Sequence, residues 1–198
     1  MRAISPIGYC TNVHAGADWQ ATRASLEKHA VEVKRRFHPD RVMGIGLWFS
    51  HRSAEQLERE GLEEFAAWLA QEGLETITLN GFPYGDFHQP FVKHDVYLPD
   101  WSEPRRREYT ERLARILHRL LPAGAEGSIS TVPLLWGASP APTALSACAE
   151  QLAQLARYLE DFEKEHGRRI YLCIEPEPGC ALDTADDVIR FYNEHLLP

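Results

Sequence analysis

No run in this sequence approaches the ~18 consecutive apolar residues of a membrane span. The first residues, Met1-Arg2-Ala3-Ile4-Ser5-Pro6, hold no apolar core of a secretory leader. A cytoplasmic location without membrane insertion is therefore the expectation. Clustered basic charge is also lacking: the formal net charge is -8 and the pI about 5.6, which argues against a surface built to neutralise phosphates and against nucleic acid as a partner. The four cysteines, Cys10, Cys148, Cys173 and Cys180, form no CxxC pair. Cys148 falls on the apolar face of a helix and Cys173 inside a strand, so buried, reduced thiols are expected. No glycine-rich phosphate turn follows the first strand. The turn there, from His14 to Asp18, fits neither G-x-G-x-x-G nor G-x-x-x-x-G-K-[ST].

What is present is enough apolar material for a core, 44% hydrophobic with 10% aromatic over 198 residues, read as one domain spanning 1–198. A β-prone run from Ile4 to Val13 precedes a helix striped by Leu26, Ala30, Val33 and Phe37. Val42 to Phe49 reads as a second strand, almost wholly apolar. Ser53 with Gln56 forms a capping box for a helix that buries Leu62, Phe65, Ala66 and Leu69 and stops at Gly73. Thr76 to Leu79 is a third strand, opening into a long aromatic loop from Asn80 to Trp101. Pro104 starts a helix with the stripe Tyr109, Leu113, Ile116, Leu117 and Leu120. Ser128 to Val132 is a fourth strand, followed by a helix carrying Leu145, Cys148, Leu152, Leu155, Leu159 and Phe162 to Gly167. The fifth strand begins at Arg169, and Thr184 with Asp187 caps the last helix.

Strand-then-helix units in succession, with no tandem strands, require parallel strands joined by right-handed crossovers. The missing phosphate turn disfavours a doubly wound sheet. The predicted class is α/β, a (β/α) TIM-barrel type, holding the first five of eight βα units and incomplete on its C-terminal side. An open sheet, a fragment, self-association, or pairing with the missing barrel portion all follow as possibilities, because the edges of strands one and five need covering.

In such a barrel the residues just past the strand ends share one mouth. The sequence offers Asn12 and His14 after the first strand, Trp48 with Ser50 or His51 after the second, and Asn80, Tyr84 and His88 after the third. Thr131 and Trp136 follow the fourth. Glu175 and Glu177 follow the fifth, held extended by Pro176 and Pro178. Histidine and carboxylate together suit Zn²⁺, Mn²⁺ or Mg²⁺, any of which can polarise a carbonyl while a second carboxylate moves a proton.

Several phrases resemble one family: Tyr9-Cys10-Thr11-Asn12-Val13-His14, Leu79-Asn80-Gly81-Phe82-Pro83-Tyr84-Gly85, Val96-Tyr97-Leu98-Pro99-Asp100-Trp101, Glu126-Gly127-Ser128-Ile129-Ser130-Thr131 and Glu175-Pro176-Glu177-Pro178-Gly179. They are similar to EboE, of the Ebo metabolite-traffic cluster, within the xylose-isomerase-like TIM-barrel superfamily. The resemblance implies an eight-unit barrel linked to export of a secondary metabolite. The wider superfamily holds sugar isomerases, epimerases and an abasic-site endonuclease. Those enzymes commonly take a divalent-metal ligand from a Glu ending the fifth strand, which maps onto Glu175. Their other ligands come largely from strands six to eight, which have no counterpart in this sequence.

The expected function is a metal-dependent isomerase or epimerase acting on a small sugar-like or carbonyl metabolite. Glu175 is the metal ligand and Glu177, His14 and His88 are the catalytic candidates. Asn12, Asn80, Tyr84, Lys93 and Trp136 are candidates for substrate binding. The alternative is a module that binds a metabolite and hands it over without turnover. Plain structural roles stay open for most of these residues: an Asx turn for Asn80, helix capping for His14, a solvated amine for Lys93, and loop-pinning for the aromatics.

Overall fold

The computed structural model describes residues 8–14, 18–86 and 93–197. Five strands, β1 Tyr9–Cys10, β2 Met43–Trp48, β3 Leu74–Asn80, β4 Gly127–Thr131 and β5 Ile170–Ile174, form one all-parallel sheet in the order β1-β2-β3-β4-β5. Strand order equal to chain order, with right-handed crossovers, places every helix on one face. A doubly wound sheet reverses its order partway, and this one does not. The sheet is therefore the barrel type. Among the described residues it stays open, with β1 and β5 as edges.

The two faces differ sharply. Register partners Leu47, Leu79, Ile129 and Leu172 form a row toward the helices α3 His51–Glu60, α4 Leu62–Glu72, α5 Pro104–Leu120 and α6 Pro142–His166. Burying such a side chain stabilises the fold by about 1.5–3 kcal/mol. The opposite face carries two rows, Gly46, Thr78, Ser128 and Tyr171, then Trp48, Asn80, Ser130 and Cys173.

One irregularity sets this arrangement. Ile45 pairs with Thr76 but Gly46 pairs with Thr78, so Ile77 is an extra residue, a bulge that flips the alternation of β3. Thr76 is consequently buried on the helix face while Ile77 is 44% exposed on the other. Without the bulge, Asn80 would point at the helices.

Several expectations need correction. The first predicted helix is two, α1 Trp19–Lys28 and α2 Ala30–Phe37, meeting at His29. The stripe does not survive that change of axis, and Phe37 is 65% exposed. The next helix is also two, broken at Gly61, and its N-cap is Ser50, whose side chain accepts from the Ser53 N–H. Ser53 thus lies inside the first turn, because the Phe49–Ser50 strand exit already presents a hydroxyl. The Thr184–Asp187 capping box of α7 Ala185–Phe191 is present as expected. Cys148 is buried, and that burial pushes its thiol up to about 12. Cys173 is exposed, because it faces away from the helices on an edge strand. No helix among the described residues is long and apolar enough to cross a membrane.

Candidate functional site

Glu175 extends the β5 ladder by one step, its N–H donating to Thr131 O at 3.0 Å. Alternation along the strand puts it on the face of Tyr171 and Cys173, away from the helices. Its side chain is exposed and makes no hydrogen bond or ion pair among the described residues.

Glu177, two residues on, is held on every side. Its N–H donates to Leu182 O (2.9 Å), its carbonyl accepts from Cys180 N–H (3.2 Å), and its Oε2 accepts from the Tyr97 hydroxyl (2.9 Å). Burial, and then the bond to the Glu177 carboxylate, push the Tyr97 phenol well above its ordinary range. Tyr97 closes the 3-10 turn Lys93–Tyr97 and also bonds to buried Cys180, whose thiol is pushed up by burial.

Trp136 completes this cluster. The Tyr97 ring lies 5.1 Å from it and His94 stacks on it at 4.0 Å. Backbone bonding ties it to the post-β5 loop, through a bridge to Cys180 and the Gly137 N–H to Gly179 O (3.0 Å). Gly179, at φ 86, passes so close that a Cβ there would lie 2.9 Å from the indole. Two residues before Trp136, Leu134 has φ 69, a conformation costing a non-glycine residue about 1–3 kcal/mol. Its carbonyl accepts from the Trp101 N–H, which fastens the strained turn.

Asn80 sits across the sheet in register with Ser130. Its Oδ1 accepts from Phe82 N–H (2.9 Å) and from the Ser130 hydroxyl (3.2 Å), so it makes the Asx turn that starts the aromatic loop. Behind that loop lies Arg106, fully buried, donating through Nη1 to Gly81 O and Phe82 O and through Nε to Pro99 O. Burial lowers its pKa to about 10. Tyr84 turns toward the helices: its ring stacks on His51 at 4.6 Å and meets Tyr109 edge-on at 5.1 Å. With Trp101, whose indole N–H donates to Thr131 Oγ1, it pins the loop.

The β1 end stands apart. His14 Nε2 is 2.5 Å from the Tyr9 hydroxyl, and its ring stacks on His29 at 4.4 Å. Asn12 lies half-buried in the 3-10 turn Thr11–Val13. Lys93 opens the turn that Tyr97 closes. His88 and the side chain of Lys93 fall outside the described residues.

The structure therefore joins Glu177 and Trp136 through Tyr97, with Glu175 two residues away along the chain and Asn80 two strands away on the same sheet face, while Tyr84 and His14 are engaged elsewhere. Arg106 and Leu134 organise the site and are not singled out from the sequence, and Tyr97 reads there only as one of the loop aromatics that wall a pocket or pin the loop. Tyr97 and Glu177 are 80 residues apart, and no local pattern signals their bond. Arg106 reads in sequence as one more charge on a charged helix face.

A metal finds little here. Among the described residues no group of three His, Cys, Asp or Glu side chains comes together as ligands. Glu175 is one available oxygen donor, Glu177 is bonded to Tyr97, and Cys180 is buried. These residues alone do not make a metal centre.

No family model matches the sequence, and no curated protein matches it. Solved structures do match. L-ribulose 3-epimerase superimposes with a TM-score of 0.56 at 17% identity, covering 96% of this chain and 58% of its own. The IolI protein with a bound zinc atom gives 0.50 at 13%, covering 98% and 58%. A xylose isomerase domain protein from Alicyclobacillus acidocaldarius subsp. acidocaldarius gives 0.50 at 20%, covering 83% and 53%. At such identities the likeness is one of fold, that of xylose-isomerase-like TIM barrels. The chain spans between about half and three fifths of the length of these structures.

Proposed function

We propose that this chain forms part of a xylose-isomerase-like enzyme that acts on a small sugar-like or carbonyl metabolite at the C-terminal ends of its strands. The observation that carries the reading is Glu175: a carboxylate without a side-chain partner among the described residues, at the last ladder position of β5 and on the same sheet face as Asn80, Ser130 and Cys173. A carboxylate kept clear of internal partners is free to meet a ligand. In this reading Glu177, steadied by Tyr97, moves a proton next to a carbonyl, and Asn80 and Trp136 contact hydroxyls and ring carbons. A Zn²⁺, Mn²⁺ or Mg²⁺ ion would take Glu175 as one ligand and needs donors beyond the described residues. His14, His88, Asn12, Tyr84 and Lys93 have secondary roles in this reading.

The partly exposed Trp136–His94 stack favours a second reading, the EboE-like one, in which the mouth holds a secondary metabolite for handover. NMR of the chain with a panel of pentuloses and hexuloses, with and without Mn²⁺, separates the two. A new epimer, or solvent exchange of a proton beside the carbonyl, lost in Glu175→Gln, is the expected result. Shifts without turnover would favour handover. No binding of any sugar would overturn the enzyme reading.

A further inference from the structure

Two donors converge on Asn80 Oδ1, the Phe82 N–H at 2.9 Å and the Ser130 hydroxyl at 3.2 Å. A backbone N–H can only donate, so the carboxamide must turn its oxygen to Phe82, and the two donors together fill both lone pairs of that oxygen. The Nδ2 group then holds two N–H donors that have no acceptor among the described residues. Asn80 is the half-buried last residue of β3, on the sheet face turned away from the helices.

The surroundings hold this orientation. Gly81 N–H donates to Ser130 O at 2.9 Å, and Arg106 Nη1 donates to Gly81 O and Phe82 O, each at 2.9 Å. Every backbone polar group of Gly81 and Phe82 is thus bonded, two of them to a buried cation, whose bonds are the stronger kind. Turning the carboxamide over would set its NH2 against the Phe82 N–H, donor against donor. The same turn reaches the carboxylate side of the mouth: the Phe82 ring lies 5.6 Å from that of Tyr97, whose hydroxyl donates to Glu177 Oε2.

We infer that Asn80 is a fixed hydrogen-bond donor to the carbonyl oxygen of an open-chain ketose. This rests on the sugar-site reading above and narrows the Asn80 contact from any sugar oxygen to one that only accepts. When a base takes the proton beside the carbonyl, the C–H electron pair becomes the C=C bond of an enediolate and the carbonyl π pair moves onto the oxygen. Return of the proton reverses both shifts, so no oxidant or reductant is needed. Negative charge gathers on the oxygen that Nδ2 faces, and a donor already held there stabilises it without reorganising.

The side-chain NH2 resonances of Asn80 in the ¹⁵N-labelled 198-residue chain, in Mg²⁺ buffer, report this contact. A pentulose or hexulose is expected to shift them, and the matching alditol, whose oxygens are all hydroxyls, to leave them in place. Asn80→Asp keeps an acceptor for Phe82 N–H and Ser130 but exchanges the NH2 for a second oxygen. The Phe82 amide shift should therefore stay while ketose binding weakens about tenfold. A ketose that shifts other resonances at the strand ends but not the Asn80 NH2, an equal response to the alditol, or undiminished ketose binding by Asn80→Asp would each overturn the donor role and leave the sugar-site reading standing. Failure of every ketose to bind the unsubstituted chain would remove both.

Discussion

The two faces of one sheet follow opposite rules. Toward the helices the register rows are mostly aliphatic, with Thr76 an exception, and Leu47, Leu79 and Ile129 are almost wholly buried. On the other face the same strands carry glycine, serine, threonine, asparagine and cysteine, with hydrogen bonds among them: Thr78 Oγ1 donates to Ser128 O at 2.9 Å, and the Ser130 hydroxyl to Asn80 Oδ1. The helix face supplies the stability, and the open face presents the chemistry. The β3 bulge at Ile77 assigns Thr78 and Asn80 to the second role.

Substitutions separate the two. Leu79→Ala on the helix face should cost about 2–5 kcal/mol in urea unfolding, through lost transfer energy and a cavity. Gly81→Ala comes next. Its Cβ would lie 2.8 Å from the Ser130 backbone oxygen, which cannot move without the strand, so about 1–3 kcal/mol is expected. A smaller effect comes from pH. His51 and His118, on the helix side, are both lowered below the ordinary 6.5, by burial first and then by Arg112 and Arg168 respectively. A depressed folded pKa means that the unfolded chain binds more protons. Stability is then full above pH 6.5 and falls as the pH drops through the folded values, which a melting-temperature series will show. Ser130→Ala on the open face should change stability by only about 0.5 kcal/mol. A loss there as large as that of Leu79→Ala would erase the distinction between the faces.

Much of this was legible beforehand because it rests on local chemistry. The order of strands and helices follows from stripes such as Tyr109, Leu113, Ile116 and Leu117, and the α7 cap follows from Thr184 and Asp187. The extended path of Glu175 follows from Pro176. What stayed hidden depends on distant partners. Ser53 and Gln56 have the letters of a capping box, yet the helix starts at His51, where Tyr84 O accepts the His51 N–H across the mouth. Cys173 has the letters of a core residue, but it lies on an edge strand and points away from the helices. The bulge at Ile77 leaves no mark in a run of alternating Thr, Ile, Thr and Leu. Glu175 and Glu177 look equivalent in sequence, and only the fold gives Tyr97 to Glu177 and, among the described residues, no side-chain partner to Glu175.

Trp136 has an optical consequence. The other four tryptophans, Trp19, Trp48, Trp68 and Trp101, are each no more than 7% exposed, whereas Trp136 is 42% exposed and lies against His94 and Gly179. A soluble quencher such as acrylamide will reach Trp136 first. The protein thus carries its own fluorescent reporter at the strand ends, and any molecule that settles beside Glu177 should register as a change in that single indole's emission.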